Sequence, residues 1–101
     1  MSAEIFEDFK SRAVVHRSTL LLPPAAAIDF VRECRNRGIE LLGFEGFTLS
    51  PNDMIQPHLE HLLDLSAIPY KDLSGADKLA IAEKFLEERL HRDLVFEMVI
   101  G

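Results

Sequence analysis

Two histidines that lie three residues apart have types and a spacing that could do chemistry. His58 and His61 lie in the segment HLEHLLD, which ends at Asp64. On a helix the three side chains would share one face and could bind zinc or another divalent ion. On a strand the two histidines would point to opposite faces of a sheet, and the site would be lost. We favour the strand, so no metal or other cofactor is expected, and a small metal-dependent hydrolase remains an alternative.

Glu45 is the second candidate, because it is the one charge within the segment LLGFEGF at 41–47. Regular alternation along a strand would place it on the same face as Leu41, Phe47 and Leu49, the most apolar set. A buried carboxylate without a partner is costly or has a raised pKa, so its surroundings must relieve the charge.

Three arrangements could relieve the charge of Glu45. A β-bulge at Gly43 or Gly46 would reverse the alternation and turn the carboxylate towards solvent, and glycine within a strand often marks such a bulge. A basic residue on the preceding strand could pair with it, for which the candidates are Arg12, His16 and Arg17. In the third arrangement the carboxylate stays in a cleft with a raised pKa and transfers protons. The two glycines favour the bulge.

The charge of the chain argues against a general nucleic-acid binder. The chain has 101 residues and a formal net charge of −6, and residues 39–101 hold twelve Asp and Glu against five Lys and Arg. Phosphate contacts need an excess of Lys and Arg, so we expect neither nucleic acid nor a membrane as a partner. An acidic half of this kind would attract a basic protein.

The N-terminus and the cysteine content indicate the compartment. Acidic residues stand where a secretory signal would carry positive charge, and no run approaches the roughly 18 apolar residues of a membrane span. Cys34 is the only cysteine, so the chain can form no internal disulfide, and its place among apolar residues of a predicted helix is typical of a core residue. We therefore expect a soluble, cytoplasmic protein.

Hydrophobic periodicity predicts the elements that must position these residues. Pro24 suits the first turn of a helix and Gly38 its left-handed end, while the segment SPND at 50–53 predicts a turn. The predicted helices cover residues 3–12, 24–37 and 74–91, and the predicted strands cover residues 13–22, 38–49, 54–66 and 93–101. The segment 54–66 is also compatible with a short helix opened by Pro57.

After the first helix the predicted order is strand, helix, strand, strand, helix, strand. This βαββαβ order is that of a ferredoxin-like split fold, with one sheet and two helices packed on one of its faces. The predicted fold class is therefore α+β, in a single domain over residues 1–101 with an extra N-terminal helix. Other α+β arrangements stay open.

On this sheet, acidic side chains would gather on one side of adjacent strands. Apolar anchors ringed by charge are typical of a protein-binding surface, although an ordinary solvated sheet face would show the same pattern. The predicted partner-binding residues are Glu40, Leu42, Phe44, Glu45, Asp53, Glu60 and Asp64, with Asp53 at the tip of a hairpin.

We therefore predict a small acidic, non-catalytic protein that binds a basic protein through this face of the sheet. Inhibitor, antitoxin and immunity proteins are of this type, because they block the polyanion site of a basic nuclease. The alternative is a homo-oligomeric ligand-binding or regulatory domain, in which a homodimer buries Leu42 and Phe44 of the uncovered face against a second copy.

Overall fold

The computed structural model describes residues 4–49 and 55–101, with side chains at residues 4–48 and 60–101. It is a small, compact α+β fold with antiparallel sheets. The helices are α1 (Glu4–Phe9), α2 (Pro24–Arg37) and α3 (Gly75–Glu87), with 3-10 turns at Lys10–Arg12 and Ile68–Tyr70. The strands are β1 (Val14–His16), β2 (Thr19–Leu21), β3 (Leu41–Leu49), β4 (Ile55–Asp64) and β5 (Val95–Ile100). None of the helices in the described residues is long and apolar enough to span a membrane.

β3 is the central strand of a three-stranded sheet in which it pairs with β4 on one side and β5 on the other. β1 and β2 form a separate hairpin. One bridge joins this hairpin to the larger sheet, because the backbone groups of Leu22 and Phe96 exchange two hydrogen bonds of 2.8 Å. The finer ferredoxin-like βαββαβ topology is not confirmed, since the described strands form two sheets and the first predicted strand is itself a hairpin.

The chain reverses at Arg17 and Ser18, in the middle of the segment 13–22 that we predicted as one strand. Both residues have positive φ, at 49° and 71°, as the two-residue turns of tight hairpins require. Glycine, asparagine and aspartate are the residues that usually mark such a turn. The prediction of a single strand was therefore wrong, and the turn is made by two residues that carry no turn signature.

The helix predictions hold closely. α2 begins at Pro24 and ends at Arg37, and Gly38 follows in the left-handed conformation with φ of 65°. The Ser74 hydroxyl accepts a hydrogen bond of 3.1 Å from the backbone N–H of Asp77, which caps the N-terminus of α3. α3 ends at Glu87, about a turn before the predicted limit. The segment 55–64 is a strand, so the helical alternative for it was wrong.

The main hydrophobic core lies between the helices and one face of the three-stranded sheet. Phe44 of β3 makes edge-to-face contacts with Phe85 of α3 and Phe96 of β5, at ring-centre distances of 5.4 and 5.5 Å. The rings of Phe6 and Phe9 in α1 contact the ring of Phe30 in α2, so packing on α2 holds the short N-terminal helix in place. A smaller buried cluster contains Leu21, Phe47 and Val95.

Ion pairs join α2 to its neighbours. Glu83 of α3 contacts Arg35 and also Arg32, whose Nε lies 3.4 Å from its carboxylate. Arg37 binds Asp8 of α1 and Glu33 one turn earlier in α2. The arginines near the end of α2 therefore have acidic partners within the fold.

Candidate functional site

A β-bulge turns Glu45 away from the main core, as predicted. Leu41 pairs with Ile100 of β5 and Gly43 pairs with Val99, so Leu42 is an extra residue in β3. The extra residue allows both Leu41 and Phe44 to enter the main core although they are three positions apart. Glu45 then lies on the opposite face of the sheet, where its side chain is half-buried.

The predicted alternative of a basic partner for Glu45 is not realised in the described part of the chain. Arg12 donates a hydrogen bond of 2.8 Å to Asp29 of α2, and no ion pair or side-chain hydrogen bond connects Glu45 to another described residue. The bulge, rather than a salt bridge, is what keeps this carboxylate out of the core.

At the two glycines of the segment LLGFEGF, atoms of the neighbouring strands approach β3 too closely for a side chain. A Cβ atom at Gly43 would collide with the carbonyl oxygen of Leu63, and Gly43 has a positive φ of 152°. A Cβ atom at Gly46 would lie 2.6 Å from the Cβ of His61 and 3.0 Å from the ring of Phe96. Glycine is thus required at both sites by packing.

β4 has an irregular segment beside Gly46, which we call the β4 bulge (residues 59–61). Gly46 pairs with His58, whereas the next residue back in β3, Glu45, pairs with Leu62. Three residues of β4 are therefore accommodated within a single step of β3. His61, the last of them, has a side chain that is only 4% exposed.

Arg89, just after α3, holds the β4 bulge by donating to three acceptors. Its Nε donates to Nδ1 of His61 at 2.8 Å, and its Nη2 donates to the carbonyl of Glu60 at 2.9 Å. Its Nη1 donates to the carbonyl of Phe85 at 2.9 Å, and the guanidinium stacks on the Phe85 ring at 3.6 Å. Because Nδ1 accepts this bond, the imidazole of His61 is unprotonated at that nitrogen.

The structure separates the residues of the metal-site alternative. His61 points into the fold towards Arg89, whereas Asp64 is exposed and accepts hydrogen bonds from the backbone and hydroxyl of Ser66. These two bonds lower the pKa of Asp64. The side chain of His58 lies outside the described residues, and within them no three His, Cys, Asp or Glu side chains are grouped closely enough to hold a metal ion.

The face of the sheet that carries Glu45 has a shallow groove of about 280 Å³, which we call the outer groove. Two cross-strand rows of residues form it, one in which Glu45 lies between Leu62 and Glu97, and one in which Gly43 lies between Asp64 and Val99. Leu62 is 42% exposed and Val99 is 47% exposed. The lining residues used below are Leu42, Glu45, Leu62, Asp64, Glu97 and Val99.

The predicted partner-binding residues are only partly brought together. Leu42, Glu45 and Asp64 line the outer groove, and Glu60 is exposed nearby on the β4 bulge. Phe44 is 1% exposed, so its side chain is a core residue, and its assignment as an exposed anchor was wrong. Asp53 lies outside the described residues.

Glu40 belongs to a different place in the fold. It lines a cavity of about 520 Å³ between the end of α2 and the start of α3, together with Arg35, Lys78 and Cys34. The thiol of Cys34 is fully buried, and this burial raises its pKa to about 11, so it is a core residue as predicted and a poor nucleophile.

Sequence reasoning missed Glu97 and Val99, which contribute a third carboxylate and a second exposed apolar side chain to the groove. The segment VFEMVI alternates between Phe96 and Met98, which are buried, and Glu97 and Val99, which are not. This period of two predicts that Glu97 and Val99 share the face opposite the core. The richness of the segment in Val, Ile and Phe hides this alternation, because it is also typical of a strand buried on both faces.

The polar groups that line the outer groove suit binding of a positively charged side chain better than covalent catalysis. They are three carboxylates and the hydroxyl of Ser66, which is engaged with Asp64. No known family model matches the sequence, and a comparison with curated proteins found no relative.

Proposed function

We propose that the protein is a non-catalytic binding protein that docks a basic protein or peptide in the outer groove. One observation carries this proposal: among the described residues, every charged side chain that lines the groove is a carboxylate, and Glu45 lies directly opposite Glu97. The groove is acidic within a chain whose net charge is already −6. A partner with the opposite charge is both steered towards it and held in it.

The opposition of Glu45 and Glu97 is energetically unfavourable in the free protein. Like charges that face each other directly across two strands destabilise a sheet. A lysine or arginine of a partner would relieve this repulsion when it enters the groove. Leu62 and Val99 supply exposed apolar area beside the carboxylates, so the contact would combine charge with burial of apolar surface.

A basic partner fits the groove better than a second copy of the chain. The predicted homodimer required Phe44 as an exposed contact, and α3 already covers this side chain. Two copies that met through the outer groove would bring Glu45, Asp64 and Glu97 against the same carboxylates of the other copy. Like-charge contacts of this kind oppose association.

Addition of a further strand at β4 is also discouraged. β4 is the last strand of the three-stranded sheet in the described residues, but Pro57 has no backbone N–H to donate and the β4 bulge interrupts the strand. Both features are common protections of an exposed sheet edge. The face of the sheet, rather than this edge, is the better docking surface.

The inhibitor, antitoxin or immunity type of role is part of this proposal, with action in the cytoplasm. In such a role the carboxylates of the outer groove would occupy a site where a basic enzyme binds polyanions. The shape of the groove, which is shallow and flanked by two exposed apolar side chains, suits side chains on a protein surface better than a small molecule enclosed in a pocket.

Binding of an octalysine peptide at low salt tests the proposal. We expect the double variant E45Q/E97Q to bind the peptide about five- to tenfold more weakly than the wild type, measured by fluorescence anisotropy. The matched control is D72N/D93N, which removes two exposed carboxylates outside the groove. Equal weakening by both double variants would show that only net charge matters, and would contradict docking in the groove.

A further inference from the structure

The contact between Arg89 and His61 depends on the protonation of a buried histidine. We propose that this contact is a proton-sensitive latch for the β4 bulge: protonation of His61 releases the bulge and disorganises the outer groove. The latch itself rests on the geometry of His61 and Arg89, and its effect on partner binding rests on the proposed function.

The proton sensitivity of the latch follows from which atom donates the hydrogen bond between Arg89 and His61. Arg89 is permanently charged and donates from Nε, so Nδ1 of His61 must present a lone pair to it at 2.8 Å. A proton on Nδ1 would replace the lone pair with a second donor and set two cations against each other. The bond would be lost, and the side chain of His61 is too buried for water to take its place.

Arg89 cannot easily move away to relieve the repulsion. Its guanidinium is fixed by the carbonyls of Phe85 and Glu60 and by stacking on the Phe85 ring. The Cβ of His61 in turn lies against Gly46, where even a single added Cβ would lie 2.6 Å from it. Because both groups are confined, protonation must be accommodated by movement of the β4 bulge.

Two carboxylates face this pair and oppose the effect only weakly. Glu60 Oε1 lies 3.9 Å from Nε2 of His61, and Glu88 Oε1 lies 3.8 Å from Nη1 of Arg89. Their side chains are 67% and 62% exposed, so water screens their charge. From β3, the uncharged Gly46 lies against the Cβ of His61, and the uncharged ring of Phe96 from β5 lies beside the same glycine. The side chain of Arg89 is 18% exposed, so water screens its charge less than that of the two carboxylates.

The bulge is coupled to the outer groove through the next residue of β4. Leu62 follows His61 and pairs with Glu45, so the register of the groove begins where the β4 bulge ends. Glu60, whose carbonyl is held by Arg89, lies on the same irregular segment. Release of His61 would shift Leu62 relative to Glu45, and the groove would lose the row in which Glu45 lies between Leu62 and Glu97.

The test compares the wild type with His61→Asn. The side-chain oxygen of asparagine can take the place of Nδ1 and accept the bond from Arg89, but it cannot gain a proton. The control is His91→Asn, at an exposed histidine of the loop before β5. The folding equilibrium constant is measured by urea unfolding at pH 7.5 and at pH 5.5.

Acidification should lower the folding equilibrium constant of the wild type and of H91N about tenfold more than that of H61N. The native state resists a proton on His61, whereas an unfolded histidine with an ordinary pKa of about 6.5 is mostly protonated at pH 5.5. Stability is therefore present above the titration range of the unfolded histidine and is lost as pH falls through it. An equal pH dependence in the wild type and H61N would overturn the latch.

Should H61N fail to fold, an NMR titration of the wild type tests the latch instead. The ring of His61 should gain its proton together with a change in the amide signals of Glu60 and Leu62, whether by local release or by unfolding. A ring that titrates while these amide signals stay unchanged would overturn the latch.

The octalysine peptide then tests the coupling to the groove. Wild-type affinity should fall at least about fivefold more than that of H61N between pH 7.5 and pH 5.5. If the peptide binds both proteins with the same pH dependence, the coupling is overturned. If the difference in stability is found and the peptide binds at neither pH, the latch stands and the proposed function fails.

Discussion

Glu45 lies directly across the sheet from Glu97, on the face opposite the main core. The β-bulge at Leu42 is what places Glu45 there, and the alternation of β5 is what places Glu97 there. A sheet selected for stability alone would put an opposite charge or an apolar residue at one of the two positions. The proposal of docking at this face rests most directly on this pair.

The substitution Glu97→Lys should make the protein more stable and abolish docking. A lysine opposite Glu45 would replace a repulsive cross-strand pair with an attractive one, for a gain of about 0.5–1 kcal/mol in the free energy of unfolding. Urea unfolding measures the gain, and Glu97→Gln should give a smaller one. Octalysine should no longer bind E97K at low salt. A loss of stability in E97K would show that the two carboxylates do not repel each other.

The substitution Gly46→Ala should destabilise the fold by about 1–3 kcal/mol, because the added Cβ would overlap His61 and the ring of Phe96. The control is Gly75→Ala, where an added Cβ would meet no atom within 4 Å and alanine favours the start of α3. Thermal unfolding of the two variants should therefore move in opposite directions. A G46A protein as stable as the wild type would mean that the close approach of His61 to β3 is not required.

The substitution Ser18→Gly should stabilise the β1–β2 hairpin by up to about 1 kcal/mol. Ser18 has φ of 71°, a conformation that glycine adopts without the steric cost that a Cβ imposes. Ser18→Ala is the control at the same site, because it removes the hydroxyl but keeps the Cβ, and it should give no gain. Equal unfolding midpoints for S18G and S18A would contradict the assigned turn geometry.

Those elements that are bounded by local chemistry could be predicted from the sequence. α2 runs from Pro24 to the residue before Gly38, and Ser74 caps α3 through the N–H of Asp77. Gly43 and Gly46 indicated an irregular strand, and both mark register shifts. In each case the type of the residue that forms the helix end, the cap or the irregularity is itself the sequence signal for it.

The features that depend on distant residues could not be predicted. The turn at Arg17 and Ser18 exists without a glycine, asparagine or aspartate, because pairing of β1 with β2 holds it. Phe44 was assigned to the surface because regular alternation was continued across Leu42, where one extra residue reverses it. The β4 bulge depends on Arg89, 28 positions away from His61, and no local pattern connects the two.

Arg89 should be one of the most sensitive positions in the chain outside the apolar core. Arg89→Met would leave the Glu60 carbonyl and Nδ1 of His61 without their donor, for an expected loss of about 2–4 kcal/mol. Arg89→Lys should recover only part of this loss, because an ammonium cannot reach three acceptors in the planar arrangement of a guanidinium. Urea unfolding measures both, with Arg92→Met at an exposed arginine as the control. Full stability in R89K would show that charge alone is sufficient.

The pKa of Asp64 tests the electrostatics at the rim of the outer groove. Hydrogen bonds from the hydroxyl and backbone N–H of Ser66 lower this pKa in the folded protein, so the contribution of Asp64 to stability is present at neutral pH and is lost as pH falls through the folded pKa. Ser66→Ala removes the hydroxyl donor and keeps the backbone donor. The pKa should therefore rise part of the way towards the ordinary aspartate value, as measured by NMR titration of the carboxyl carbon.

Ser74→Ala is the control, because it removes the cap of α3 and lowers stability at every pH without changing the titration of Asp64. An unchanged titration in S66A would mean that the hydroxyl does not hold the carboxylate, and Asp64 would then be free to turn towards a cation in the groove.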